Sequence, residues 1–161
     1  AEGGPLTTTV PARPPVASGL KAKVDPSLRV DAAEVARRIG DATCALVDAR
    51  AGERYRGEVE PIDPVAGHIP GALNRFYKAN LRPDLTFRPA EELRCEFEAL
   101  LGGIPATSVT HQCGSGITAC ANLFAMEYAG LAGSKLYPGS WSEWISDPTR
   151  PIVRGPGTKQ P

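Results

Sequence analysis

A long apolar segment occupies residues 117–129, which contain no proline or glycine and only two strongly polar side chains. This pattern predicts a helix that is buried on most of its sides. A tight loop at residues 114–116 comes just before it and follows Cys113, and a short β-type run occupies residues 109–112. The pattern therefore predicts a strand, a loop and a helix in succession.

The first half of the chain shows two apolar runs with strand character. Residues 28–30 form a short one, and residues 44–47 form a continuous one that is typical of a strand covered on both faces. Between them, Asp31 is placed to cap a helix whose apolar stripe contains Val35 and Ile39. These features predict a strand, a helix and a second strand.

The second half repeats the alternation. A helix is predicted from Pro89 to Leu101, a strand at residues 135–137, and a last helix in which Trp141 and Trp144 share a face directed to the core. Apolar strands that alternate with helices indicate an α/β fold. We predict a parallel sheet of about five strands with helices on both faces, and function at the carboxyl ends of the strands.

Proline content divides the chain. Residues 1–26 contain five prolines and no aromatic residue. Proline at this density removes backbone donors and favours extended conformations, so we predict a linker or extended arm. At 161 residues, the chain is long enough for one α/β domain with a core and not for two. We place this domain at residues 27–150 and a tail at residues 151–161.

Charge and hydropathy exclude several classes of partner. Eighteen basic and eighteen acidic residues cancel, and no stretch concentrates lysine and arginine, so no nucleic-acid partner is expected. No apolar run approaches the ~20 residues of a membrane span, and the first residues do not form a signal peptide. We predict a soluble, cytoplasmic protein. Because the chain begins with Ala1, we expect a processed, trimmed or excised product.

Cys113 stands between a strand and the start of a helix. Glycines at positions 114 and 116 let the backbone curl so that N–H groups point inward, and the helix start adds to this positive field. Such surroundings favour the nucleophilic thiolate. The four cysteines, at positions 44, 95, 113 and 120, follow no disulfide-scaffold or zinc spacing. We predict a thiol enzyme without a metal site; a buried structural cysteine is the alternative.

Residues 113–119, Cys-Gly-Ser-Gly-Ile-Thr-Ala, closely resemble the active-site loop of the rhodanese superfamily, in the form carried by 3-mercaptopyruvate sulfurtransferases. Residues 48–50, 67–72 and 137–144 also resemble rhodanese signatures, in the family's order. The resemblance covers about residues 28–147. It implies the C-terminal catalytic domain of a two-domain 3-mercaptopyruvate or thiosulfate sulfurtransferase. A rhodanese-like companion domain is therefore expected on the N-terminal side of the linker.

The resemblance implies a two-step sulfur transfer. The Cys113 thiolate attacks the sulfur of 3-mercaptopyruvate, pyruvate leaves, and the loop N–H groups hold the persulfide. A thiol or cyanide then removes the outer sulfur, and a thioredoxin-like protein belongs to this class of acceptor. No metal or organic cofactor is needed.

The resemblance also assigns site residues. Ser115 is implied to act with Cys113, by hydrogen-bonding the keto acid or relaying a proton. Substrate contacts are implied for Arg54 and for the loop residues Gly114, Gly116, Ile117 and Thr118. A guanidinium can hold a carboxylate with two hydrogen bonds. The family's second arginine position is occupied here by Ile62, and Arg56 is the nearby candidate to compensate.

Four other residues are expected to have no chemical role. Asp48 ends a central strand, and its counterpart in the family is mainly structural. His68 is expected to brace the sheet, because a thiol that is already ionised needs no general base. His111 is assigned no role. Cys120 lies inside the apolar helix and is expected to be a small core residue.

Three alternatives to a 3-mercaptopyruvate sulfurtransferase follow from the same residues. A cysteine-dependent phosphatase or arsenate reductase also uses a strand, loop and helix to hold an anion, but the phosphatase pattern requires an arginine where this chain has Ala119. A non-catalytic rhodanese-like interaction module is expected to have lost the nucleophile, which is present here. A rhodanese that prefers thiosulfate is the third alternative.

Overall fold

Four parallel strands form the centre of the molecule. The computed structural model describes residues 8–9 and 25–157. The sheet has the order β2-β1-β3-β4, and its strands are β1 (Ala45–Asp48), β2 (Leu73–Asn74), β3 (Val109–Gln112) and β4 (Lys135–Leu136). Asp48 is paired with Gln112 and with Asn74, so three strands end at one edge of the sheet. Cys113 follows directly at that edge, as the sequence predicted.

The strand count is four within the described residues, and not about five. The sequence predicts a strand at residues 28–30, but Leu28 is the last residue of a 3₁₀ turn at Pro26–Leu28. Asp25 accepts a hydrogen bond from the backbone N–H of Ser27 at 2.9 Å, and proline fixes φ for the turn. Only Arg29 pairs with β4, through an isolated bridge to Leu136. A local turn therefore replaces most of the predicted edge strand.

Helices cover both faces of the sheet. They are α1 (Ala32–Arg37), α2 (Gly52–Tyr55), α3 (Ala90–Leu101), α4 (Ala119–Tyr128) and α5 (Ser140–Trp144). On one face, α3 and α4 pack against Ala45 and Val47 of β1. On the other face, α1 and α5 pack around Ile69, with Leu46 of β1 against them. This arrangement confirms the predicted α/β layering.

Local chemistry explains where two of these helices begin and end. Asp31 caps α1 by accepting a hydrogen bond from the N–H of Glu34 at 2.9 Å, as predicted. Helix α3 ends at Gly102, whose φ of 59° lies in the left-handed region that favours glycine. Helix α4 begins at Ala119, two residues later than predicted, because residues 117–118 form a turn.

The segment that follows residue 150 contacts the domain as far as it is described. Val153 and His68 exchange backbone hydrogen bonds of 2.9 and 3.0 Å, and Gly155 donates its N–H to the carbonyl oxygen of Arg56 at 2.8 Å. The predicted arm, except for residues 8–9 and 25–26, and residues 158–161 of the predicted tail lie outside the described residues. The division into arm, domain and tail stays a prediction. Within the described ranges, no helix is both long and apolar enough to cross a bilayer.

Candidate functional site

Cys113 lies at the carboxyl edge of the sheet, at the start of the loop that joins β3 to α4. Its side chain is buried, with 1% of its surface exposed. It packs with Ala49, which follows β1, and with Ala119, the first residue of α4. The end of one strand, the start of one helix and the neighbouring strand therefore position the cysteine together.

Two serines of α5 hold the backbone of this loop. The N–H of Cys113 donates to Ser140 Oγ at 3.1 Å, and Ser140 Oγ donates to the carbonyl oxygen of Tyr137 at 2.9 Å. Ser142 donates its N–H and its hydroxyl to the carbonyl oxygen of Gly114, each at 2.9 Å. The backbone on both sides of the cysteine side chain is thus fixed by a second element. Both serines lie in the signature at residues 137–144, but the sequence reasoning assigned a role to neither of them.

The two loop glycines have different structural reasons. Gly116 has a φ of 82°, and a Cβ there would lie 2.5 Å from the carbonyl oxygen of Pro138, so this position requires glycine. Gly114 has no such strain. A Cβ built on Gly114 would meet Nη2 and Nη1 of Arg54 at 3.7 and 3.8 Å. The structure therefore brings Arg54 next to the residue that follows the cysteine.

The loop exposes a row of backbone donors beside the buried cysteine. From Ser115 to Ala119, no backbone N–H has an acceptor among the described residues. The side chain of Ser115 is exposed, that of Ile117 is 76% exposed, and that of Thr118 is half-buried. Five consecutive N–H groups at the start of a helix are suited to hold an anion.

Arg54, at the end of α2, is held by two carboxylates. Its Nε and Nη2 donate to Glu60, with a shortest distance of 2.6 Å from Nη2 to Oε1, and Nη2 lies 3.4 Å from Oδ2 of Asp63. Burial acts to raise the pKa of Glu60, but hydrogen bonds from Arg54 and from the N–H groups of Ile62 and Asp63 outweigh it and lower that pKa. The sequence reasoning missed both carboxylates, although they follow Arg54 closely in the chain.

The position of the family's second arginine is occupied by Ile62 and lies at the surface. The Ile62 side chain is 74% exposed. Arg56, the candidate to compensate, is paired with Glu58 at 2.6 Å on the surface. Arg54 is therefore the arginine that the structure places beside Gly114.

The family assignment follows from a direct match. A model of the family described as rhodanese-like domain matches residues 31–147. The chain belongs to the rhodanese family. The matched range includes the Cys113 loop, Arg54 and both serines of α5.

Relatives agree with this assignment. The chain is 54% identical over 131 residues to a protein of Pseudomonas aeruginosa named probable 3-mercaptopyruvate sulfurtransferase, with 81% of this chain and 46% of the relative covered. It is 33% identical over 163 residues to the thiosulfate sulfurtransferase of Bos taurus, with 98% of this chain and 54% of the relative covered. This rhodanese-like chain thus spans about half the length of the curated relatives it matches.

Solved structures show the same fold. An anaerobic ergothioneine biosynthesis enzyme from Chlorobium limicola, in complex with trimethyl histidine, superposes with a TM-score of 0.73 at 28% identity. The match covers 81% of this chain and 33% of that enzyme. The parallel sheet with helices on both faces is therefore a rhodanese-like fold.

Asp48 and His68 of this rhodanese-like domain take the structural places expected for them. Asp48 is buried and binds Arg50 at 2.7 Å, and Arg50 also donates to the carbonyl oxygen of Gly67 at 2.8 Å. The ring of His68 stacks on Tyr55 with centroids 3.8 Å apart, and its Nδ1 lies 2.8 Å from the Tyr55 carbonyl oxygen. Burial lowers the pKa of His68, so the ring is neutral near pH 7.

His111 and the three cysteines other than Cys113 differ in how far they are buried. His111 is buried, and burial lowers its pKa to about 3. Cys120, expected in the core, is exposed, because the outer side of α4 faces away from the sheet; its Sγ donates to the Gly116 carbonyl oxygen at 3.4 Å. Cys95 is also exposed.

Cys44 lines a cavity of about 280 Å³ beside α1, and burial raises the pKa of its thiol. None of the predicted site residues lines this cavity.

Proposed function

We propose that this chain is the catalytic rhodanese-like domain of a sulfurtransferase that moves sulfur from 3-mercaptopyruvate through a Cys113 persulfide. The Cys113 thiolate attacks the donor sulfur, and the bond between that sulfur and carbon breaks. The carbon fragment takes up a proton and leaves as pyruvate. An acceptor thiolate or cyanide then attacks the outer sulfur and regenerates the Cys113 thiolate. The names of the sulfurtransferase relatives support this reaction.

One observation carries the proposal. Cys113 begins a loop in which five successive N–H groups, from Ser115 to Ala119, have no acceptor within the part of the chain that the structure describes. These donors lie in the turn that follows Cys113 and are suited to hold an anionic donor or product beside it. The exposed hydroxyl of Ser115 is free to contact the keto acid or to relay its proton. The presence of the nucleophile argues against a non-catalytic interaction module.

Arg54 is the proposed contact for the donor carboxylate. Its Nη1 has no acceptor among the described residues, and this nitrogen is near Gly114. Gly114, Gly116, Ile117 and Thr118 are proposed to contact the donor through the loop that they form. Thiosulfate-type rhodaneses usually have basic residues where this loop has Gly114 and Ser115, so we propose that 3-mercaptopyruvate is preferred. A thiosulfate-preferring enzyme is the second candidate, favoured by the name of the bovine relative.

Further parts of the proposal concern the surroundings of the domain. We propose an N-terminal rhodanese-like companion domain that closes over the Cys113 loop, because the relatives are about twice as long as this chain. A closed site excludes water, which otherwise screens the charge of Arg54. A thioredoxin-like protein is proposed among the thiol acceptors, and the cytoplasm as the location.

Steady-state kinetics with the two donors and a small thiol or cyanide as acceptor test the proposal. A higher kcat/KM for 3-mercaptopyruvate supports it, and a higher value for thiosulfate favours the second candidate. We expect the isolated chain to have a high KM and a low kcat. Adding the remaining part of the Pseudomonas relative, fused or as a separate chain, should improve both. An equal rate without that part would contradict the companion-domain proposal.

A further inference from the structure

The negative charge around Arg54 exceeds the positive charge of its guanidinium. Glu60 binds the guanidinium through Nε and Nη2, and Asp63 approaches the same Nη2 at 3.4 Å. One positive and two negative charges therefore meet next to the Cys113 loop. The neighbouring buried pair of Asp48 and Arg50 is neutral as a pair and does not change this balance.

Both carboxylates are sheltered from water. The side chain of Glu60 is 4% exposed and that of Asp63 is 8% exposed. Solvent screens charges in such positions less than it screens charges on the surface. A donor that enters this site therefore meets the extra negative charge with less screening than it would meet from a carboxylate on the surface.

Asp63 is also connected to the loop that follows Cys113. Ser142 Oγ lies 2.8 Å from Oδ1 of Asp63 and 2.9 Å from the carbonyl oxygen of Gly114, so the two oxygens share its one hydroxyl proton. The Ser142 N–H also donates to the carbonyl oxygen of Gly114. Oδ2 of Asp63 is directed to Arg54, which lies against Gly114. Asp63 is thus the carboxylate that contacts both the arginine and the α5 serine that holds the loop.

We propose that Asp63 is a specificity-determining residue that disfavours sulfur donors in proportion to their negative charge. The proposal rests on the proposed function and names the residue that selects among its donors. Each unit of donor charge meets the same repulsion from Asp63. The free-energy penalty on binding dianionic thiosulfate is therefore twice the penalty on binding monoanionic 3-mercaptopyruvate. Removing the charge of Asp63 should therefore accelerate thiosulfate by the square of the factor for 3-mercaptopyruvate.

The test is Asp63→Asn, which removes the charge and keeps a side-chain oxygen that can accept from Ser142. The measured quantity is the second-order rate constant for persulfide formation on Cys113, followed by mass spectrometry in a single turnover at donor concentrations below saturation. We expect an increase of about threefold with 3-mercaptopyruvate and about tenfold with thiosulfate at low salt. Both factors should shrink as ionic strength rises.

Two matched variants separate charge from structure. Glu58→Gln removes a negative charge from the same loop, but Glu58 is exposed and paired with Arg56, so neither rate constant should change. Ser142→Ala removes the hydroxyl that binds Asp63 and keeps the carboxylate. It should leave the ratio of the two donor rate constants as it is in the wild type.

Each outcome decides the proposal. Equal factors for both donors in Asp63→Asn, or an equal change of the donor ratio in Ser142→Ala, would show that Asp63 acts through the loop and would overturn charge selection. Unchanged rates in Asp63→Asn, with normal persulfide formation in the wild type, would overturn the inference and leave the proposed function standing. Absence of persulfide in the wild type with either donor would instead refute the proposed function.

Discussion

Two arginines, four residues apart, bind carboxylates in opposite ways. Arg50 is enclosed: it donates to both oxygens of Asp48 and to a backbone carbonyl, and its guanidinium lies 4.7 Å from the centre of the Trp141 ring. Arg54 shares its charge with Glu60 and Asp63 but keeps Nη1 without an acceptor among the described residues. Glu60 connects the two groups, since it lies 3.4 Å from Arg50.

The difference shows how one kind of ion pair can serve the fold or the site. The Asp48–Arg50 pair lies within the core, and its partners use its hydrogen-bonding capacity, so it fixes the end of β1. Arg54 lies at the end of α2 and faces the loop after Cys113. Arg50 is therefore a structural arginine. Arg54 is the proposed substrate contact, because it faces the loop at the sheet edge and its Nη1 has no acceptor among the described residues.

The largest expected effect is on stability and concerns the enclosed arginine. Arg50→Ala leaves the buried carboxylate of Asp48 without its partner, and we expect the free energy of unfolding to fall by about 3–5 kcal/mol. Chemical denaturation monitored by tryptophan fluorescence measures this change. Arg56→Ala, at an exposed pair with Glu58, is the control and should leave the unfolding midpoint unchanged. A stable Arg50→Ala variant would remove the structural half of the comparison.

The next effect is on activity and concerns the open arginine. Arg54→Ala should lower kcat/KM for 3-mercaptopyruvate by about thirtyfold, because a charge-assisted hydrogen bond to the donor carboxylate is lost. Arg54→Lys keeps the charge without the two-pronged geometry and should give an intermediate value. Steady-state kinetics together with denaturation measures both properties. If Arg54→Ala loses as much stability as Arg50→Ala and no activity, the two arginines do not differ in role.

A smaller effect is expected from adding positive charge beside Arg54. Gly114→Arg combined with Ser115→Lys should shift the ratio of kcat/KM values toward thiosulfate by about tenfold, because the new charges offset the carboxylates of Glu60 and Asp63. Backbone strain should not interfere at Gly114, since its Cβ would be at ordinary contact distance from Arg54. A control with Gly114→Gln and Ser115→Gln adds bulk without charge. A shift of equal size in that control would argue against an electrostatic origin.

Local patterns were sufficient to predict most of the fold. The continuous apolar run before Asp48, the cap at Asp31 and the glycine at position 116 each act over a few residues, and the structure places them as predicted. The prediction at residues 28–30 was wrong because the pattern of side chains did not show the competition from a turn started by Asp25 and Pro26. Cys120 was misplaced because the whole helix is apolar, so periodicity did not show which side faces out.

The electrostatic environment of the site was less predictable. Ser142 and Asp63 are 79 residues apart in the chain and meet only in the folded molecule. Glu60 and Asp63 follow Arg54 within one loop, but only the fold shows that both bind its guanidinium. Side-chain contacts across the sheet edge depend on the docking of α5 on the Cys113 loop, which no local pattern encodes.

The most direct test of the central proposal is to locate the transferred sulfur. The chain is incubated with 3-mercaptopyruvate and digested, and the mass of each cysteine-containing peptide is measured by mass spectrometry. We predict one added sulfur atom on Cys113 and none on Cys44, Cys95 or Cys120; Cys113→Ser should take up none, and Cys120→Ser should load as the wild type does. Sulfur found on another cysteine, or turnover by Cys113→Ser, would contradict the account.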